Sequence, residues 1–242
     1  MRCAMKLKTK IMLPWPNAAL EKIVYVVSDT HMGDASLKDD FCPNAELFID
    51  FLNHVGSENV ITAGDVEEHW QCKSTDIKLV YDDILSQLSR GVAGNHDSHR
   101  LVSNIELPDT IVIGNALIFH GHQMDPWNAR YKWFGRLITR LVGWLELIGL
   151  KHIDNFFLAN TPACLTDEEF VRVFPKLLVE LKRYAYNFQV NTIVYGHTHR
   201  ADLRYLTNNI VIGNCGTWAI PQFPCYTIEI TPETLTLYEV CE

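Results

Sequence analysis

The stretch Ile23-Val-Tyr-Val-Val-Ser-Asp-Thr-His31 decides how this chain is read. Five consecutive β-branched or aromatic residues, Ile23 to Val27, have the composition and length of a buried strand. Directly beyond it stand two side chains able to hold a metal, Asp29 and His31, one residue apart. Residues i and i+2 of an extended segment share a face, so a carboxylate and an imidazole leave the strand end side by side. In open α/β sheets, ligands bind in the crevice outside the carboxyl ends of the strands.

A lone Asp-x-His pair is ordinarily a turn carboxylate beside a surface histidine; recurrence gives this one weight. Asn59-Val-Ile-Thr-Ala-Gly-Asp65, the run Ile111 to His120, and Asn191-Thr-Ile-Val-Tyr-Gly-His-Thr-His199 also end in metal-capable side chains. Gly91-Val-Ala-Gly-Asn-His-Asp97 adds another ligand-rich segment after a helical pattern.

Around these segments the chain alternates strand and helix. A helix opens at Pro43-Asn44, with Leu47, Phe48, Phe51 and Leu52 on its apolar face and Gly56 at its end. Ser74 is a good N-cap for a second helix through about Arg90, its core face being Ile77, Val80, Ile84 and Leu88. Gly91 and Gly94 bracket a short strand. Thr110–Ile113 and Ala116–His120 read as a hairpin over Gly114-Asn115. Strands at Thr192–Tyr195, Asn209–Gly213, Tyr226–Ile230 and Thr234–Val240 complete the pattern. Gly213-Asn-Cys-Gly216 is expected to form a tight turn facing the ligand cluster.

Composition bounds the function. The chain has 242 residues and a net charge of −8, from 29 acidic against 21 basic residues, enough length for one sizeable core. An acidic chain is a poor general nucleic-acid binder, which needs basic surface to displace counterions. The seven cysteines (Cys3, Cys42, Cys72, Cys164, Cys215, Cys225, Cys241) are scattered, without a C-x-x-C pair. With no signal peptide apparent, they read as reduced thiols of a cytoplasmic protein. Residues 1–21, basic and interrupted by Pro14 and Pro16, are expected to be a loosely ordered extension of a single domain spanning 1–242.

Residues 126–190 differ in character and are read as a helical cap inserted in that domain. Trp127, Tyr131, Trp133, Phe134 and Trp144 crowd together with Arg130, Lys132, Arg136, Arg140 and Lys151. Lys132, Arg136 and Arg140 fall on one helical stripe, and Trp133, Leu137, Leu141 and Leu145 on its neighbour. A capping box, Thr166-Asp-Glu-Glu169, starts a further helix that Pro175 should kink or split.

Gathered from the strand ends, Asp29, His31, Asp65, Asn95, His96, His120, His197 and His199 form a mixed nitrogen and oxygen set. Such a set suits Mn, Fe, Zn or Co better than Ca. It is too many ligands for one ion and about right for two sharing a carboxylate. Asp65 is the natural bridge because a glycine beside it permits close approach. Two ions roughly 3.5–4 Å apart clamp the attacking and leaving oxygens of an in-line displacement at phosphorus and make hydroxide available near neutral pH.

The motifs Asp29-x-His31, Gly64-Asp65, Gly94-Asn95-His96-Asp97, His120-Gly121-His122 and Gly196-His197-x-His199 resemble, in order, those of the calcineurin-like metallophosphoesterases. The resemblance implies an αββα fold of the α/β class, two sheets face to face with helices outside. It implies that Asp29, His31 and His199 hold one metal and Asn95, His120 and His197 the other, with Asp65 bridging. It also implies that His96 stabilises the transferring phosphoryl group or protonates the leaving oxygen, with Asp97 orienting it.

A narrower resemblance, to the UDP-2,3-diacylglucosamine pyrophosphatase branch, rests on Gly-Asp-Val-Glu-Glu-His-Trp70, His-Gly-His-Gln-Met-Asp125, the helical insertion and Gly213-Asn-Cys-Gly-Thr-Trp218. It implies a lipid-linked nucleotide substrate, manganese as the usual ion, and acyl chains sheltered by the insertion. Peripheral contact with the inner face of a membrane through residues 127–150 would follow. This chain departs from the branch at His96, where the branch carries arginine; a histidine acid fits phosphomonoesters or simple diesters better. The rivals are therefore a protein phosphatase, nucleotide phosphodiesterase or nuclease of the same fold, and a metal-free scaffold that binds protein partners. His122 is expected to orient ligands, and His54, His69, His99 and His152 to lie at the surface.

Overall fold

Val24–Val27 is the second strand of the fold (β2) and lies parallel to β3 (Val60–Thr62), which places Asp29 and Asp65 beyond the same end of the sheet. The computed structural model describes residues 5–15, 20–97, 101, 105–124, 137, 140, 166, 169–170, 172 and 175–242. The remaining strands are β1 (Lys6–Pro14), β4 (Thr110–Ile113), β5 (Ala116–Phe119), β6 (Thr192–Tyr195), β7 (Asp202–Thr207), β8 (Ile210–Asn214), β9 (Cys225–Ile230) and β10 (Thr234–Cys241). One five-stranded sheet runs β1-β10-β9-β2-β3 and the other β4-β5-β6-β8-β7.

Three apolar layers hold them. Val26, Ile61, Ile118, Val194, Val211 and Ile228 are buried between the sheets. Outside the first sheet lie α1 (Ala45–Val55) and α2 (Ser74–Leu85), with Phe48, Phe51, Leu52, Ile77 and Ile84 pressed against Val27 and Trp218. Outside the second lies α3 (Pro175–Phe188), burying Leu177, Leu181 and Ala185 against Phe119, Ile193 and Tyr195. This is the expected αββα arrangement. The central layer carries apolar residues on both sheets, and burial of one such side chain is worth about 1.5–3 kcal/mol.

The hairpin reading holds, with Ile113 paired to Ala116 across Gly114-Asn115. So does the end of α1, where Gly56 takes φ 80° and donates its N–H to Leu52 O. The capping box closes as expected: Thr166 N–H donates to the Glu169 carboxylate at 2.9 Å, and Glu169 N–H returns to Thr166 Oγ1 at 3.3 Å.

Four expectations need correction. Residues 6–14 are not a loose extension but β1, paired antiparallel with β10. A bulge between Thr9 and Ile11 turns the strand over, so Leu7 packs on the helix side while Ile11 and Leu13 pack between the sheets. Pro14, which cannot donate to a ladder, is tolerated as the last residue of an edge strand. In α2, non-helical angles at Tyr81 rotate the face, so Tyr81 is buried and Val80 is exposed. The Tyr81 hydroxyl donates to Asp39 at 2.7 Å; the helix ends at Leu85 rather than Arg90. Gly91 makes only an isolated bridge to Thr62. β7, unanticipated, carries Asp202 and Arg204 in an ion pair at 3.0 Å instead of an apolar run.

Within residues 126–190, expected to be a helical cap, α3 is instead the outer layer of the sandwich, while the Trp-rich segment 127–150, apart from Leu137 and Arg140, lies outside the described residues. No helix among the described residues is long and apolar enough to cross a membrane. The described cysteines, Cys42, Cys72, Cys215, Cys225 and Cys241, are unbridged.

Candidate metal centre

Four loops meet where β2, β3, β5 and β6 end. β5 runs parallel to β6 as β2 does to β3, and His197 N–H donating to the Asp29 carboxylate at 3.0 Å joins the end of one pair to the end of the other. The loops are pinned to one another through backbone bonds: Asp29 N–H to Gly64 O, His31 N–H to Asp65 O, and Gly196 N–H to His120 O, at 2.9–3.0 Å. The end of β8 and the residues just after it secure them further. Asn214 Nδ2 donates to Gly196 O and Thr198 Oγ1, while the Thr217 hydroxyl and Trp218 N–H both donate to Asp29 O.

Their backbone is strained. Asp29, His31, Asp65, His197 and His199 have φ of 54°, 48°, 51°, 65° and 55°, a region non-glycine residues seldom occupy except where the surrounding fold enforces it. The turns after β2, β3 and β6 thus bring their side chains inward within one or two residues. Glycine makes room where two of these loops touch: a Cβ on Gly94 would collide with the Asp65 carboxylate and amide.

All seven expected metal-binding side chains come together. Three groups have potential donor atoms within 4.8 Å of one another: Asp29 with His31 and His199, His31 with Asp65 and His96, and Asp65 with His120 and His197. His199 Nε2 is 3.1 Å from Asp29 Oδ1, and His120 Nε2 is 3.0 Å from Asp65 Oδ2. Asn95 Oδ1 completes that second side, 3.2 Å from His120 Nε2. Asp65 stands between the two sides, with His31 Nε2 3.8 Å from the oxygen that faces His120.

Ring orientation follows from the opposite nitrogens. His120 Nδ1 lies 2.9 Å from Ala63 O; a carbonyl only accepts, so Nδ1 carries the proton and a neutral ring presents its Nε2 lone pair inward. His31 Nδ1 is held by Glu68 Oε2 at 2.9 Å. Its Nε2 is buried without a hydrogen-bond partner, 3.8 Å from both Asp29 and Asp65. A buried polar atom of this kind is costly unless something binds it, and a cation between two carboxylates meets the need. The residues present fit a pair of divalent ions.

The electrostatics are those of a site whose own charges must compensate one another. Burial opposes a cation on His120, but Asp65 and Asp29 outweigh it and push its pKa up to about 9. Burial likewise opposes charge on His31, and Asp29, Glu68 and Asp65 reverse it. Against the same penalty, the histidines hold Asp29 and Asp65 well below the usual carboxylate range. Asp97 goes the other way: burial and the neighbouring Asp65 raise it to about 7.

The role expected of Asp97 changes. Its carboxylate accepts backbone N–H groups of Val66, Glu67 and Gly94 at 2.8–2.9 Å, tying two loops together. The carboxylate on the His96 ring is Glu68, with Oε2 2.7 Å from Nδ1. One oxygen of Glu68 therefore steadies both His31 and His96. The sequence offered a signal in the acidic pair after Gly64-Asp65, but an acid beside a motif looks the same whether solvated or engaged. Trp70 is a further residue whose part emerges only in three dimensions. His69, expected at the surface, is half-buried with Nε2 2.6 Å from Glu67. His122 lies in a short 3₁₀ turn with its ring 5.5 Å from His120 and 6.4 Å from His197. His54 is exposed, and His99 and His152 lie outside the described residues.

The sequence model of the calcineurin-like phosphoesterase superfamily domain matches residues 23–230. A UDP-2,3-diacylglucosamine hydrolase from Actinobacillus succinogenes is 25% identical over 244 aligned positions, covering 87% of this chain and 97% of that protein. Among solved structures, a metallophosphoesterase from Sphaerobacter thermophilus aligns at 12% identity and TM-score 0.46, covering 91% of this chain and 89% of the other. Wild-type Vps29 complexed with Zn+2 from Entamoeba histolytica aligns at 21% identity and TM-score 0.46, covering 90% and 91%.

Proposed function

This chain belongs to the calcineurin-like phosphoesterase superfamily, and from that premise we propose that it hydrolyses a phosphate ester or pyrophosphate with two divalent ions held at the strand ends. The observation that carries the proposal is the buried, unpartnered His31 Nε2 facing Asp29 and Asp65. Asp29, His31 and His199 would hold one ion, Asn95, His120 and His197 the other, and Asp65 both. Manganese is the proposed occupant, with Fe, Zn and Co also suited to the donors. When bound, such ions neutralise phosphate charge and lower the pKa of water.

The chain's own side chains supply the rest. His96, fixed by Glu68 at Nδ1, offers its other nitrogen to the phosphoryl oxygens or to the leaving oxygen, where it gives a proton. Glu68, held down to about 2 against its burial by His96 and His31, stays ionised and keeps both rings oriented. The loop pinned by Asp97 keeps Asn95 and His96 in register with Asp65.

As substrate we propose a lipid-linked nucleotide of the UDP-2,3-diacylglucosamine kind. The relative from Actinobacillus succinogenes, aligned over nearly its whole length, and the Trp- and Arg-rich insertion favour it. Peripheral membrane contact through 127–150 belongs to the same proposal. A second reading, a phosphomonoester or simple diester, is favoured by the imidazole at position 96, because an alkoxide leaving group needs a proton. The test is turnover of a detergent-solubilised UDP-diacyl sugar against p-nitrophenyl esters by the manganese-loaded protein. Preference for the lipid nucleotide by more than about 10-fold in kcat/KM, a difference of about 1.4 kcal/mol, supports the first reading, and the reverse preference supports the second. Absence of hydrolysis together with absence of bound metal would leave the fold as a binding scaffold.

A further inference from the structure

One buried aromatic touches three residues of the site and no role in hydrolysis has been given to it. Trp70 stacks on the His96 ring with centroids 3.8 Å apart and planes inclined 17°. Its Nε1–H donates to Asn95 O at 2.8 Å, and its backbone N–H donates to Glu68 Oε1 at 3.0 Å. Its own carbonyl accepts from Arg140 Nε at 2.9 Å. The His31 ring meets His96 edge-on at 4.6 Å.

These contacts divide the work on His96. Glu68 fixes one ring atom, Nδ1, and a single hydrogen bond leaves the ring free to swing about it. The indole face removes that freedom by defining the plane in which the imidazole lies. The Nε1–H bond fixes the backbone of Asn95 relative to the same indole. The bond to Glu68 Oε1 leaves Oε2 for the two histidines. A misplacement of about 1 Å at a reacting group costs on the order of 10²-fold in rate, so a residue that sets this plane has kinetic leverage.

We infer that Trp70 is a positioning residue, whose indole holds the His96 imidazole in the plane from which it reaches the substrate. The inference rests on the proposed part of His96 in hydrolysis. The Arg140 bond also ties this tryptophan to the Trp- and Arg-rich stretch of the sequence.

The test is a double-mutant cycle on the full chain loaded with manganese, using bis(p-nitrophenyl) phosphate. Trp70→Leu is expected to lower kcat by about 10–100-fold, with KM within about threefold and metal content unchanged; Trp70→Tyr, which keeps an aromatic face, should recover most of the loss. In a His96→Ala background, Trp70→Leu should add nothing, because residues acting as one unit are non-additive. A readout without turnover accompanies it: in metal-free protein the His96 ring protons should be shifted upfield by the indole, lose that shift in Trp70→Leu and keep it in Trp70→Tyr. If Trp70→Leu does not fold, Trp70→Tyr carries the test, and a Tyr variant with neither kcat nor the upfield shift overturns the inference. An equal loss from Trp70→Leu with or without His96 also overturns it, while leaving the reading of His96 intact. If His96→Ala alone has no effect, that reading fails first, and the inference with it.

Discussion

The body of β2 and the loop just beyond it obey different physics. Toward its middle, Val26 lies between the sheets among Ile61, Ile118 and Ile228, with ordinary strand geometry and apolar neighbours. A few residues on, Asp29 and His31 are in left-handed conformations, with a fully buried carboxylate surrounded by imidazoles. The first region supplies stability, and the second spends it. The sandwich is thus a support stiff enough to hold unfavourable backbone and concentrated charge where they serve chemistry. Substitutions in the body should therefore lower stability and spare the chemistry, and substitutions at the strand ends should do the reverse.

The largest effect is expected at Asp65. Asp65→Asn removes the charge that His31 and His120 share, and kcat should fall by about 10³-fold or more, about 4 kcal/mol of transition-state stabilisation. Above about pH 9, where His120 has given up the proton that Asp65 helps it hold, the thermal midpoint of metal-free protein should change little by comparison. A steady-state assay beside calorimetry checks both, and loss of stability with activity retained would break the contrast.

Gly94→Ala should come next, because the added methyl meets Asp65. Weaker metal binding and lower activity are expected, with both readable by titration of manganese into the apoprotein. Ile228→Ala, at a fully buried position between the sheets, should cost about 2–5 kcal/mol of stability. Its kcat per folded molecule should stay within about twofold; a collapse of kcat would show that the body is not a passive support.

The smallest effect is a pH dependence. His120 in the folded, metal-free chain titrates at about 9, above the ordinary value of about 6.5 for an unfolded chain. A raised histidine contributes stability that is fully present below the unfolded value and lost as pH rises through the folded one. The apoprotein should therefore lose stability between about pH 6.5 and 9, while metal affinity rises over the same window because binding displaces protons. Denaturation of apoprotein across that range checks the first part, and proton release measured in buffers of different ionisation enthalpy checks the second.

What could be read from the residues alone followed periodicity and punctuation. Apolar runs ending in Gly-Asp, His-Gly-His and Gly-His-Thr-His announced the strand ends, since buried parallel strands are continuous in apolar residues and glycine marks close approach. β1 was illegible because lysines at 6, 8 and 10 resemble a charged leader, and the bulge that turns its face leaves no mark in composition. β7 was missed because Asp202 and Arg204 satisfy each other in three dimensions, replacing the apolar signal. At the centre, residue types identified the expected donors, but not which carboxylate leans on His96. Asp97 directly follows His96 and Glu68 stands 28 positions before it, so nearness along the chain favoured the carboxylate that the fold turns to other partners. Trp70 read as part of a motif; its stack on His96 depends on two loops meeting.

Where cations bind decides whether Asp65 and His31 act as proposed. Anomalous diffraction from crystals grown with manganese should reveal two ions roughly 3.5–4 Å apart, with Asp65 between them and His31 Nε2 turned to one. Ions bound elsewhere, or a single ion that leaves Asp65 and His31 Nε2 without contact, would contradict the proposal.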